Sequence, residues 1–163
     1  MSCQISYPSL LICFCLKDDS TTISALKFNI KNNFVKESDS QEFYDDRFKT
    51  LFGVKSTEPS EKNEILVGYF GFHIESSNNA SYFIYYNIKN DIFKEFRSGY
   101  YYGDCDYFEV FNFKNQNNYI FTCNLKKFFG IYKFDNNFTK IDSKEFYTSE
   151  CENINNYFLF YNY

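Results

Sequence analysis

Apolar and polar positions alternate along most of the chain in short runs, and the runs recur in a fixed order. "FKTLFGV" (48–54), "NEILVGYFGFHI" (63–74) and "SYFIYYNI" (81–88) are rich in aromatic and β-branched residues and bounded by Asn, Asp, Ser and Lys. That pattern predicts half-buried or buried strands separated by turns. One ten-residue phrase closes each group: "FNIKNNFVKE" (28–37), "YNIKNDIFKE" (86–95) and "YKFDNNFTKI" (132–141). In each copy Asn, Asp and Lys stand between a pair of β-favouring runs. Asn and Asp tolerate positive φ and bond to their own backbone, so the phrase reads as a hairpin with its turn.

The text ahead of each hairpin also recurs. "SLLICFCL" (9–16), 63–74 and "NNYIFTCNL" (117–125) supply a second strand, and "CQIS" (3–6), 48–54 and "YFEVFNF" (107–113) a first. The chain therefore reads as all-β, with about three units of four antiparallel strands each. The units fall at about 3–46, 47–104 and 105–143, and an incomplete fourth spans 144–163. The phrases start 58 and 46 residues apart, and the extra length of the second unit lies in the polar stretches 56–64 and 75–81. Four-stranded units of this length resemble β-propeller blades. The resemblance is to blades in general. With no Trp in the chain, no kelch double glycine and no sialidase-type Asp box, it points to no individual family.

The resemblance implies a partial β-propeller. A β-sandwich or open β-meander is the alternative, because turn signals at this spacing fit both. Three and a half blades fall short of the four to eight of a closed ring. The expectation is a piece of a longer propeller, with missing blades or another chain pairing with the C-terminal edge and residues 157–161 pairing with 146–150. The one stretch with a helical signal is 40–52, where Ser40 could cap a single turn, although it reads better as a link between two units.

Composition narrows the function classes. Tyr and Phe make up 23% of 163 residues and Pro only two, so a packed core is expected rather than disorder. A net charge of −4 argues against nucleic acid. The longest apolar run, 9–16, has eight residues, too few to span a membrane, and it lacks the flanks of a signal peptide. No nucleotide-cradling glycine motif or calcium loop occurs, although "GDCD" (103–106) carries oxygen ligands without the required spacing. His73 is the sole histidine and has no identifiable nucleophile partner, so it reads as a packed strand residue. No catalysis, cofactor or metal is expected.

The densest unusual text is 96–113, in which Tyr100, Tyr101, Tyr102, Asp104, Asp106 and Tyr107 form the candidate ligand-binding cluster. Tyrosine offers stiff contact area with a polar tip, which suits a glycan or a protein surface. The competing reading is that these rings wedge between blades. Six cysteines form an even set, and two pairs are singled out. Cys3 faces Cys13 if residues 7–9 turn tightly, and Cys105 and Cys123 bracket a second turn less symmetrically; Cys15 and Cys151 stay open. Asn79 heads an Asn-Ala-Ser sequon in polar text, making it the glycosylation candidate. Together these features suggest a non-enzymatic binding or adhesion module of a secreted or cell-surface propeller protein, contacting a protein or glycan. An intracellular (cytoplasmic) scaffold subunit with reduced cysteines is the alternative.

Overall fold

The computed structural model describes residues 1–6, 9–37, 41–60, 62–101, 105–113, 118–125, 128–134 and 140–147. Among these residues there are 13 strands, three sheets and no helix. The first sheet holds β1 (Ser2–Ser6), β2 (Leu10–Leu16), β3 (Thr22–Asn29), β4 (Val35–Lys36) and β5 (Gln41–Tyr44). Its order is β1-β2-β3-β4, with β5 also on β3. The second runs β6 (Phe48–Ser56), β7 (Glu64–His73), β8 (Asn78–Asn87) and β9 (Ile92–Tyr101). The third runs β10 (Cys105–Phe113), β11 (Asn118–Leu125), β12 (Phe128–Phe134) and β13 (Lys140–Tyr147). Each is an antiparallel meander in sequence order.

The repeated phrase is the hairpin between the third and fourth strands of each sheet, and its residues explain the repetition. Asn29 Oδ1 accepts from the amides of Lys31 and Asn32 at 3.0 and 3.2 Å, and Asn87 Oδ1 accepts from Asn90 at 2.9 Å. Four residues on, Asn33 and Asp91 take left-handed φ values of 52° and 56°, which Asn and Asp adopt more readily than other side chains. The turn also docks in the same way twice. The Ile30 amide donates to the Ser9 carbonyl at 2.8 Å, and that of Ile88 to the Asn63 carbonyl at 2.9 Å. A further irregularity lies on the outer edge of all three sheets. The first splits its outer strand into β4 and β5, and the others slip register between Phe83 and Tyr85 and between Lys133 and Phe134.

The first strands lie side by side, with β6 packing on β1 and on β10, so the second sheet sits between the other two. One of its faces, carrying Ile65, Val67, Tyr69, Ile84 and Tyr86, closes a core with Ile12, Phe14, Ile23 and Ala25 of the first sheet. Its other face is buried as well, through Leu66, Phe70 and Phe83. Burial on both faces is why β7 and β8 read as nearly unbroken apolar text rather than strict alternation.

Three expectations change. Residues 41–52 hold no helical turn; Gln41–Tyr44 is a strand on β3 and Phe48–Ser56 opens the second sheet. Pairing to a waiting strand edge satisfies that backbone more fully than one isolated turn. Residues 144–147 belong to β13, where Ile131 faces Lys144 and Phe128 faces Tyr147, so the third unit extends past 143. The remainder of the expected fourth unit, 148–163, and its pairing with 146–150 lie outside the described residues. Asn79 is not in a loop, because the turn covers only 74–77 and Asn79 pairs with Phe72 inside β8.

Candidate functional site

A concave feature lies where β1 meets the β6–β7 connection. It is an open pocket of about 590 Å³ lined by Cys3, Gln4, Ile5, Ser6, Glu58, Pro59, Ser60 and Asn63. One wall is β1, and the other is the connection that lengthens the second unit. Gln4 Nε2 donates to the Ser56 carbonyl at 2.8 Å, and the Ser2 and Ser56 hydroxyls meet at 2.8 Å, so the walls are bonded at the base. The loop is shaped by its own contacts. Ser60 N donates to the Glu64 carbonyl at 2.8 Å, Asn63 N returns to the Ser60 carbonyl at 2.9 Å, and Asn63 sits at φ 57°. Hydroxyls, amides and one carboxylate thus converge beside the apolar Ile5 and Pro59.

Cys3 and Cys13, directly opposed on β1 and β2 with Cα atoms 4.0 Å apart, are joined by a disulfide. It crosses the strand that forms the pocket wall. Cys15 is a free thiol, half-buried, near the Ser24 carbonyl at 3.9 Å.

Two polar clusters tie the neighbouring sheets together. Asp45, in the turn between β5 and β6, is 3% exposed. It accepts from Arg47 Nε and Nη2 at 2.7 and 2.6 Å and from the Tyr69 hydroxyl at 2.8 Å. Arg47 also lies over the Tyr82 ring, 4.4 Å from its centroid. Burial pushes the Asp45 pKa up, but the bonds from Arg47 and Tyr69 and the Arg47 charge outweigh it and hold the carboxyl below its ordinary range. Burial and the Asp45 charge hold the Tyr69 hydroxyl protonated well above its own. These contacts form a structural clamp, with both carboxylate oxygens engaged.

The second cluster sits on the repeated phrase. Lys27 Nζ lies 3.0 Å from Asp91 Oδ1 and 3.1 Å from the Ile88 carbonyl, and Tyr86 donates its hydroxyl to the same Asp91 oxygen. Burial first, and then Asp91, raise the Tyr86 pKa. His73 is packed in the core edge-on to Phe48 and stacked on Tyr82. The Ser76 amide donates to its Nδ1 at 3.2 Å, and its Nε2 lies 3.4 Å from the Tyr82 hydroxyl.

The candidate tyrosine cluster falls at the crossing from the second sheet to the third. Tyr100 and Tyr101 end β9 opposite Ser81 and Ala80, and Asp106 and Tyr107 lie in β10, Tyr107 opposite Asn124. Tyr102 and Asp104 lie outside the described residues. Cys105 is opposite Leu125, and Cys123 opposite Phe108. The expected Cys105–Cys123 pairing rests on side chains outside those the structure describes. The Asn79 sequon loses its loop setting, and its Ser81 hydroxyl is buried in β8. Cys151 lies outside the described residues.

Comparison with solved structures fits the sheet arrangement. The fold superposes on a chain described as "Structure of Dos1 propeller" with a TM-score of 0.56, covering 89% of this chain. The fold is that of a partial β-propeller. Sequence identity is 13%, so the likeness is one of fold alone, and this chain spans 36% of that longer one. No family model and no curated protein matches the chain. In a propeller the three sheets are blades, and β1, β6 and β10 are their adjoining first strands. The pocket then sits on the first strand of one blade, against a connection of the next. Sequence reading passed over it because its loop showed only as polar insertion text.

Proposed function

We propose that the chain is a non-enzymatic binding module of a secreted or cell-surface propeller protein, taking a glycan in the pocket beside β1. The propeller fold is compatible with binding or scaffold roles, and the pocket carries the choice between them. Its volume of about 590 Å³ falls within the roughly 300–1,000 Å³ of ligand sites. Ser6, Ser60, Asn63 and Glu58 can exchange hydrogen bonds with sugar hydroxyls while Ile5 and Pro59 pack against C–H faces. A glycan array probed with the folded protein should show a defined bound set, and Glu58→Lys should weaken it about tenfold or more, the scale of one lost charged hydrogen bond. An array with no bound glycan, or binding indifferent to Glu58→Lys, would sink this reading.

The compartment rests on the Cys3–Cys13 bond, since disulfides persist outside the reducing cytosol. Denatured, unreduced protein treated with an alkylating agent should carry at most four labels by intact mass, and reduction should expose the rest. Six labels without reductant would mean a reduced, intracellular scaffold.

A further inference from the structure

The first two copies of the hairpin phrase close in different registers. In the second, Tyr86 pairs with Phe93 and Asn87 with Ile92. In the first, Phe28 pairs with Lys36 and Asn29 with Val35, so residues 30–34 form its loop where 88–91 form the other. A slip of one residue turns each following side chain to the opposite face. Phe93 packs against the rings of Phe14 and Phe43. Its counterpart in the phrase, Val35, is 59% exposed, and Phe34 ahead of it is 58% exposed. Phe34 also stands at φ 61°, a left-handed conformation in which a bulky side chain is an outlier. Neither burial nor backbone preference accounts for a phenylalanine there, and strain of this kind collects at sites that contact ligands.

The second hairpin presents a smaller tip of the same make, with Ile92 and Lys89 both exposed. Lys31 and Lys36 flank the first tip and are exposed, and no acidic residue falls between 31 and 36. The nearby acids are engaged. Glu37 accepts from Asn29 Nδ2 at 2.8 Å, Glu64 pairs with Lys94, and Asp91 pairs with Lys27. Both tips project from one end of neighbouring sheets, because the Ile30 and Ile88 amides bond to the Ser9 and Asn63 carbonyls, just ahead of β2 and β7.

We propose that this end of the chain rests on the surface of an anionic phospholipid bilayer. Phe34, Val35 and Ile92 enter the boundary between headgroups and acyl chains, and Lys31, Lys36 and Lys89 meet the lipid phosphates. Apolar side chains flanked by lysines on a protruding turn match a surface that is anionic outside and hydrocarbon beneath. Two such tips side by side on adjoining blades suit a broad surface.

Co-sedimentation with vesicles of phosphatidylcholine, alone or mixed with phosphatidylserine, tests this. Neither lipid carries a glycan, so the outcome is independent of the pocket. Wild-type protein should pellet with the mixed vesicles and stay in solution with phosphatidylcholine alone. Phe34→Asn should weaken the binding about tenfold or more, the scale of withdrawing one aromatic side chain from an apolar setting. Asn adopts left-handed φ more readily than Phe, so this variant should unfold in urea at or above the wild-type midpoint. Weaker binding by an equally stable protein separates contact with lipid from folding. Lys31→Glu with Lys36→Glu should abolish the preference for the anionic vesicles, and this pair supplies the test if Phe34→Asn does not fold. No binding to the mixed vesicles, equal binding to both compositions, or wild-type binding by a folded variant would each overturn the proposal.

Discussion

Replacing Gly71 by Ala should cost the protein about 3 kcal/mol of stability or more, the upper range for forcing atoms into a packed interior. Gly71 lies opposite Leu51 where β6 slips register before Gly53, and the bulge brings the β6 backbone down onto it. A Cβ on Gly71 would collide with the Thr50 carbonyl oxygen and stand 2.8 Å from Leu51 Cα. Those atoms are main chain, so relief requires moving a strand that packs on both neighbouring sheets. Gly53→Ala is the natural comparison, because the three atoms nearest the Cβ there all belong to the Phe70 side chain rather than to main chain. Its cost should be about 1 kcal/mol, with Phe70 yielding. Urea melts of the two variants would separate them, and equal midpoints would show that the close approach at Gly71 is not a constraint.

Asp45→Ala should be comparably severe, at about 3 kcal/mol, because it strands the Tyr69 hydroxyl and Arg47 without their carboxylate. For a chain of this size that is a fall in Tm of about 10 °C. Asp45→Asn should recover some of the loss by keeping an acceptor for Tyr69. The pH dependence has a definite sign. The folded pKa of Asp45 lies below the ordinary aspartate value of 3.8, so its contribution is whole above that pH and fades as the pH falls through the lower folded value. Asp19 acts in the same direction: the Thr22 hydroxyl and the Thr21 amide hold its pKa down to about 2. Wild type should therefore lose stability below about pH 4, and Asp45→Ala should show a shallower acid limb. Parallel acid limbs for the two proteins would remove Asp45 from the account.

The contrast between these residues and the hairpin phrases separates what the chain encodes locally from what packing decides. Turn chemistry is local: Asn29 and Asn87 bond amides two or three residues away, and Asn33 and Asp91 need only their own φ. Sequence reading could therefore place strands, hairpins and the four-strand repeat. Cys3 and Cys13 were legible for the same reason, since one short turn sets their register. The pocket was not legible because its walls, β1 on one side and residues 58–60 with Asn63 on the other, are more than fifty positions apart. The clamp of Asp45 with Tyr69 and the bridge of Lys27 with Asp91 likewise join groups that no periodicity connects. The sequence by itself determined the strands, their turns and their order, since φ preferences and period-two alternation act over a few residues. Tertiary structure alone decided which faces are covered: Phe28 and Tyr86 begin the same phrase, yet Tyr86 is sealed against Phe14 of the first sheet and Phe28 is half-buried among the described residues.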